Sequence, residues 1–234
     1  MKRIEMYENG AYFEKNPTWD AADAVWKVQW IKKLLSKNTI EFNNVVDVGC
    51  GGGKLLQELC ELYPEIKDWT GYDISPQAID LARQMQDKRL SFFNEDFLSN
   101  DTKRAGLLLT IDVVEHVADY YGFLEKLKNK SDYFVFHIPL DLSCRTILKP
   151  HVMLQQREAV GHIHYFSKEM VLWMLKDTGY EIIDWDYTKL MIDLLPQASV
   201  KNKLKKILRK LSFSLNTDKS VKLWGGYSMM VLAK

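Results

Sequence analysis

The chain has 234 residues and a mass of 27.3 kDa, enough for one large domain with a sizeable core. Hydrophobic residues make up 47% and charged residues 27%, which excludes an intrinsically disordered chain or a fibrous repeat. With 32 Lys and Arg against 31 Asp and Glu, the net charge of +1 excludes both a global basic field for nucleic acid and an acidic tail.

Residues 6–19 are aromatic and interrupted by Gly10 and Pro17, a composition that suits a flap better than a core strand. Residues 19–35 read as an amphipathic helix, because Trp26, Trp30, Ile31, Leu34 and Leu35 recur close to helical spacing. From residue 44 onward strands and helices alternate. NVVDVG (44–49) is a short apolar strand running into a glycine loop, and KLLQELCEL (54–62) is the helix after it. DWTGYD (68–73) is a second strand, after which Ser75 caps a helix with Pro76 at its first position. Two more strands, LSFFNED (90–96) and GLLLTID (106–112), precede a helix at 118–129. DYFVFHIPL (132–140) is a strand and 167–179 a helix stopped by Gly179. YEIIDWDY (180–187) and GYSMMVLAK (226–234) close the chain as strands.

Strands separated by helices imply parallel βαβ units and a doubly wound α/β sheet. The expected division of a single domain over 1–234 is an N-terminal flap and helix at 1–39, a core at 40–187 and a last strand at 225–234. Two stretches, 141–166 and 188–224, exceed ordinary loop length and read as insertions on the substrate side. The second carries a charge anomaly. Residues 199–222 hold eight basic residues and the single acid Asp218, so this segment is +7 and, with a total of +1, the rest is −6. Within it VKNKLKKILRKL sets Leu204, Ile207, Leu208 and Leu211 on one helical face and cations on the other. The expectation is a solvated helix covering the sheet; contact of 200–212 with an anionic membrane surface, or guidance of an anionic substrate, are the alternatives.

Cys50, Cys60 and Cys144 are an odd number, far apart and without a CxxC pair, so neither a structural zinc site nor a disulfide framework is expected and a cytoplasmic location is. MKRIEMYENG has basic residues with no apolar stretch after them and does not read as a signal peptide. The apolar run 106–114 is too short to span a bilayer.

The strongest chemical signal is VVDVGCGGGK, with Asp47, Gly49, Gly51, Gly52 and Gly53 between a strand and a helix. Glycines let the backbone approach a ligand, and a helix start presents free N–H groups. A dinucleotide fingerprint from Gly49 would need glycine at Lys54. A phosphate-cradling GxxxxGK[ST] ending at Lys54 would need glycine at Val48 and Ser or Thr at Leu55. Both patterns fail. Asp73 ends the second strand, about twenty residues beyond Gly53, where an acid accepts from both ribose hydroxyls of a nucleoside. Asp96 ends the third, where it can accept from an adenine amino group. Three acids at successive strand ends repel a pyrophosphate and suit a nucleoside with a sulfonium and a zwitterionic tail.

VVDVGCGGGK, GYDIS, NEDF and TIDVVEHV, taken together and in this order, resemble the class I S-adenosylmethionine-dependent methyltransferases over about residues 40–187. DVVEHV followed by GHIHYFSKEMVLWMLKDTGYEI is similar to ubiquinone-biosynthesis O-methyltransferases and to small bacterial enzymes of surface-glycan gene neighbourhoods. The resemblance implies a Rossmann-like, mostly parallel seven-stranded sheet with the last strand antiparallel. It implies S-adenosylmethionine at Asp47, Gly49, Cys50, Gly51, Asp73, Ile74, Asp96, Phe97 and Asp112, with Lys27 of the flap helix on the methionine carboxylate.

Methyl transfer from a sulfonium is an in-line displacement in which one proton leaves an oxygen or nitrogen nucleophile. All five histidines lie between residues 116 and 164. His116 follows the fourth strand near the expected methyl position and is the candidate general base. His162 and His164 alternate, so in an extended segment both face one way, toward an anionic substrate or a metal. Tyr12, His137, His162, His164 and Tyr165 are the candidate substrate contacts, with a satisfied strand residue as the competing reading of His137. The resemblance implies a magnesium site at Asp112, Glu115 and His116, but Asp112 is one methylene short of the usual glutamate, and no metal is the favoured reading.

A base-amino methyltransferase would carry D/N-P-P-aromatic where this chain has IDVV, and a cytosine-type enzyme a Pro-Cys pair where it has Pro139-Leu140. Nucleic acid is therefore not favoured. The expected activity is methylation of an oxygen, in preference to nitrogen, on a small anionic or sugar-like metabolite, with a role in surface-polysaccharide synthesis in view. A nicotinamide-dependent oxidoreductase and a non-catalytic S-adenosylmethionine-binding module are the competing readings, and the oligomeric state is left open.

Overall fold

Seven strands form one sheet in the order β3-β2-β1-β4-β5-β7-β6, with β1 Asn44–Val48, β2 Asp68–Asp73, β3 Leu90–Asn94, β4 Ala105–Ile111, β5 Ser131–Pro139, β6 Ile182–Thr188 and β7 Ser228–Ala233. Six run parallel and β7 runs against its neighbours β5 and β6. This is the doubly wound, Rossmann-like sheet with an antiparallel last strand expected from the sequence. The computed structural model describes Tyr7 and residues 10–17, 21–99, 104–194 and 199–234. Trp19, expected at the flap and helix start, lies outside them.

Central strands are covered on both sides, so their residues alternate between two apolar layers. Val46, Val48, Phe134, Phe136 and Val231 face one layer, completed by Leu124 and Leu127 of α5 (Tyr120–Lys128) and by Val171 and Leu175 of α8 (Lys168–Asp177). Val45, Val135, Met230 and Leu232 face the other, with Ile31 and Leu34 of α2 (Ala21–Asn38) and Leu56 and Leu59 of α3 (Lys54–Leu62). The Ser75 cap and Pro76 start of α4 (Pro76–Ala82) form as the sequence indicates, with Ala78 N–H donating to the Ser75 hydroxyl.

Element ends differ where polar residues take over the backbone. β3 stops at Asn94 rather than 96, because the chain turns on Asp96, whose carboxylate accepts from Leu98 N–H at 2.9 Å. β6 starts at Ile182 rather than 180, because Tyr180 N–H closes the end of α8 on Leu175 O after Gly179 adopts φ +87°.

Both insertions leave the same carboxyl edge of the sheet, after β5 and β6. The first forms α6 (Cys144–Leu148) and α7 (Pro150–Ala159), then an extended strap back to α8. The second forms α9 (Leu190–Asp193), α10 (Val200–Leu215) and α11 (Thr217–Trp224). The flap contributes α1 (Ala11–Lys15), tied across to α7 by Lys15 Nζ on Glu158 O and Asn16 Nδ2 on Ala159 O.

The orientation of α10 overturns the expectation that its apolar face covers the sheet. Leu204, Ile207, Leu208 and Leu211 are 44–56% exposed, while Arg209 is 4% exposed and turned inward. Its guanidinium donates to Gly225 O at 2.7 Å and Trp224 O at 3.3 Å, carbonyls at the end of α11 that no helical N–H can reach. These bonds hold the Arg209 side of the helix inward and leave the leucine face outside, with Lys203, Lys205 and Lys210 also exposed.

Candidate active site

The carboxyl ends of four adjacent strands, β3, β2, β1 and β4, open into a cavity of ≈ 1210 Å³. Asp96 just past β3, Asp73 at the end of β2, Asp47 within β1 and Asp112 just past β4 follow that spatial order, and all four line the cavity. Lys27 and Tyr12, from the N-terminal segment, line it from above together with Tyr7.

The glycine loop is shaped by backbone that only glycine adopts freely. Gly49 has φ +78°, and a Cβ there would stand 2.5 Å from Val113 Cγ2. Gly49 N–H and Cys50 N–H both donate to Tyr72 O, joining the loop to the end of β2. Asp73 then accepts from Gly51 N–H at 2.9 Å and from Ser75 N–H at 2.8 Å. One carboxylate thus fixes the loop and the next helix start, with the remaining lone pairs available on a group only 7% exposed.

Burial disfavours charge on the two inner acids, Asp47 and Asp73. It pushes the Asp47 carboxyl up to about 7, with Asp73 adding to the rise and Lys27 opposing it. Asp47 Oδ1 is buried without a hydrogen-bond partner. Burial also raises Asp73, against the pull of backbone N–H groups of Ser75, Gly51 and Ile74. At Asp112 burial is overcome by His137 and Lys27, which hold the carboxyl well below its ordinary range. Asp112 Oδ2 meets Lys27 Nζ at 2.8 Å and Oδ1 meets His137 Nδ1 at 2.7 Å. Lys27 also reaches Asp23 at 3.0 Å, and burial, which lowers its pKa, is outweighed by these two carboxylates, which raise it. Asp112 adopts φ +55°, a left-handed conformation rare outside glycine, held here by its two partners and by its N–H on His137 O.

A second cluster follows β4. The turn Val114–His116 places His116 on the cavity wall, its Nδ1 3.0 Å from Tyr7 Oη. Glu115 points the other way and is fully buried, with both carboxylate oxygens lacking a hydrogen-bond partner. Burial, then Asp112 and Asp141, raise its carboxyl well above the ordinary value. His116 Nε2 and His162 Nε2 approach Glu115 Oε1 at 3.8 and 3.9 Å, and His162 Nδ1 is held by Asp141 at 2.8 Å. The strap is pinned to this turn by Ile163 and His164 N–H groups on Glu115 O.

The remaining sequence candidates divide plainly. Gly49, Cys50, Gly51, Ile74, Phe97 and His164 line the cavity. Phe97 is 1% exposed and packs on Tyr72, so it forms floor rather than wall. Cys50 is buried, which pushes its thiol well up and keeps it unreactive. His137, His162 and Tyr165 do not line the cavity. His137 is 2% exposed between Asp112 and Thr188, where its two nitrogens are already occupied. Tyr165 donates to Met153 O and His162 O and braces the strap. His162 and His164 do not share a face toward ligand, since His162 turns to Asp141 and His164 packs on Tyr120 at 4.7 Å. Asp141, Asp23, Lys126 and Arg157 were not anticipated; the last three line the cavity.

The magnesium set implied by resemblance is not gathered, because Asp112 is spent on Lys27 and His137. The groups that converge among the described residues are Glu115, His116 and His162, one ligand atom each within 4.8 Å of the others. Two imidazoles and one carboxylate are a poor match to magnesium, which takes oxygen ligands. Among the described residues no helix is long and apolar enough to cross a membrane.

A family profile described as a methyltransferase domain matches residues 22–184. Ubiquinone biosynthesis O-methyltransferases are similar over shorter stretches. That of Coxiella burnetii is 30% identical over 94 residues, 38% of this chain and 39% of that protein; that of Glaesserella parasuis is 30% identical over 104 residues, 39% and 43%. The chain thus spans about two fifths of the length of these curated relatives. Among solved structures, a Haloferax volcanii putative methyltransferase in complex with its activator aligns at TM-score 0.68 and 16% identity, over 100% of this chain and 96% of that one. The magnesium protoporphyrin IX methyltransferase of Synechocystis, with bound S-adenosylhomocysteine, aligns at 0.60 and 16% identity, over 99% and 96%. The plantazolicin methyltransferase, also with S-adenosylhomocysteine, aligns at 0.62 and 15%, over 99% and 95%.

Proposed function

The chain belongs to the methyltransferase-domain family, and from that premise we propose that it uses S-adenosylmethionine to methylate an oxygen of a small anionic or sugar-like metabolite, with His116 as the base. The donor supplies a methyl group activated on a sulfonium, and the residues present suit it. The acid row accepts hydrogen bonds from a nucleoside and repels phosphate, and the glycine loop admits close approach. Asp73 is the ribose acceptor and Asp96 the adenine acceptor in this reading. Lys27, already between Asp23 and Asp112, offers a mixed-charge rim that matches an amino-acid tail.

The observation that carries the catalytic assignment is His116 on the cavity wall, beside the end of β4 and between the glycine loop and the strap. To accept a proton at Nε2, the imidazole holds its own on Nδ1 and donates it to Tyr7 Oη. Once Nε2 is protonated, Glu115 at 3.8 Å faces the new charge. Tyr7 and α1 lie across the cavity and, through α7, exclude water from the reacting atoms. Arg157 and Lys126 are cavity-lining cations outside the acid row and favour an acceptor with negative charge. The missing third fingerprint glycine and the acid row weigh against a nicotinamide cofactor.

Calorimetry with S-adenosylhomocysteine and NAD, followed by transfer of labelled methyl to a panel of anionic and neutral hydroxyl compounds, tests the reading. Binding of NAD in place of S-adenosylhomocysteine refutes it. Binding with no transfer to any hydroxyl favours the non-catalytic module. His116→Ala should lower turnover by about 10²–10⁴ while leaving S-adenosylhomocysteine affinity within about twofold. A fully active variant removes His116 as the base.

A further inference from the structure

We infer that the outward face of α10 is a docking surface for an anionic lipid bilayer. The helix runs 16 residues, Val200–Leu215, or about 24 Å. Leu204, Ile207, Leu208, Leu211 and Leu215 fall within an arc of about 100° and all are exposed, Leu215 at 85%. Such a stripe on a soluble chain normally packs against its own core. Here the inward side is occupied by Arg209 and its carbonyl partners, so the stripe cannot turn in without breaking those bonds.

Charge decides what covers it. Lys203 and Lys210 border the stripe on one side and Lys205 on the other; all three are exposed and form no ion pair with any described residue. No acid occurs between Ser199 and Thr217. An apolar stripe between two cationic borders is the form of a helix lying in the headgroup layer, with lysine stems reaching outward to lipid phosphates. A second copy of this chain would set the same lysines against each other, so charge opposes a symmetric pairing of this face. Other exposed apolar residues stand on the insertion at the same carboxyl edge: Leu148 at 81%, Ile147 at 61% and Leu154 at 58%.

The inference goes beyond the methylation reading and can fail without it. Full-length protein is sedimented with phosphatidylcholine vesicles and with vesicles containing phosphatidylglycerol. Binding only to the anionic vesicles, reversed by high salt, is expected. Leu204→Asp/Leu208→Asp and Lys203→Glu/Lys205→Glu/Lys210→Glu should each weaken it by at least about tenfold, because the two contributions act together. S-adenosylhomocysteine calorimetry on each variant checks folding and cofactor binding separately. No sedimentation of the wild type, or binding untouched by both variants, overturns the inference. A stable dimer that the leucine variant dissolves also overturns it, since the face then belongs to a second copy.

Discussion

Replacing Asp47 by Asn should stabilise the ligand-free protein in a strongly pH-dependent way. The carboxyl sits 2% exposed in β1, one oxygen has no hydrogen-bond partner, and burial with Asp73 nearby pushes it up to about 7 from 3.8. The folded state therefore holds a proton that the unfolded state releases near its ordinary value. Between those limits the native state binds more protons, so wild-type stability falls as pH rises. A displacement of about three units corresponds to about 4 kcal/mol in full, of which about 3 kcal/mol falls between pH 5 and pH 8. Asn removes this titration, while Asp73 and the other acids remain in both proteins and cancel in the comparison. Urea denaturation of wild type and Asp47→Asn at pH 5 and pH 8 reads the difference directly. The stability gained by the variant should grow by about 3 kcal/mol across that interval. A gain or loss independent of pH would show that Asp47 is ionised throughout, and the account of the acid row would be wrong.

Asp73→Ala should weaken S-adenosylhomocysteine binding by at least about tenfold in calorimetry, since a nearly buried acceptor is lost and Gly51 and Ser75 N–H lose their partner. Unchanged affinity would remove the ribose assignment. Gly53→Ala should cost about 3 kcal/mol in urea denaturation, because φ is +79° and the new Cβ would stand 2.7 Å from Phe92 Cζ. A neutral result would mean that the loop relaxes. Arg209→Met should cost roughly 3 kcal/mol through the carbonyls of Trp224 and Gly225 left without a donor. If stability is unchanged, the inward anchoring of α10 is not what orients its leucine face.

The strands and the acid row were legible because parallel strands are near-continuous apolar runs and each acid sits where such a run meets a loop. VVDVG and GLLLTID read directly as β1 and β4; Asp47 stands one residue inside the end of β1, Asp73 ends β2 and Asp112 is the first residue after β4. The partners of those acids were not legible. Nothing in the sequence joins Asp141 to His162, since both lie in an aperiodic insertion whose path is set by α6, α7 and the strap. His137 was ambiguous for a similar reason. In a strand buried on both faces, alternation does not tell a ligand-facing imidazole from one held between Asp112 and Thr188. For α10, periodicity revealed two faces but not which one turns inward. That choice was made by the unpaired carbonyls at the end of α11, about fifteen residues away, which the Arg209 guanidinium reaches and a leucine cannot satisfy.

The same choice accounts for how a chain of net charge +1 keeps both a cationic donor and a +7 segment. A sulfonium beside the 199–222 segment would meet repulsion, and in a low-dielectric cleft that repulsion is poorly screened. None of the described side chains from 199 to 222 lines the cavity, whose Lys and Arg side chains among the described residues are Lys27, Lys54, Lys126 and Arg157. Lys27 is covered by Asp23 and Asp112, and Lys54 by Glu58 at 2.7 Å, so the donor half presents acids. Arg157 and Lys126 come from α7 and α5, outside the glycine loop and the acid row. The cavity is thus divided into an acidic half suited to a cation and a basic rim suited to an anion. The +7 segment acts elsewhere, on the outer surface where its lysines border the exposed leucines.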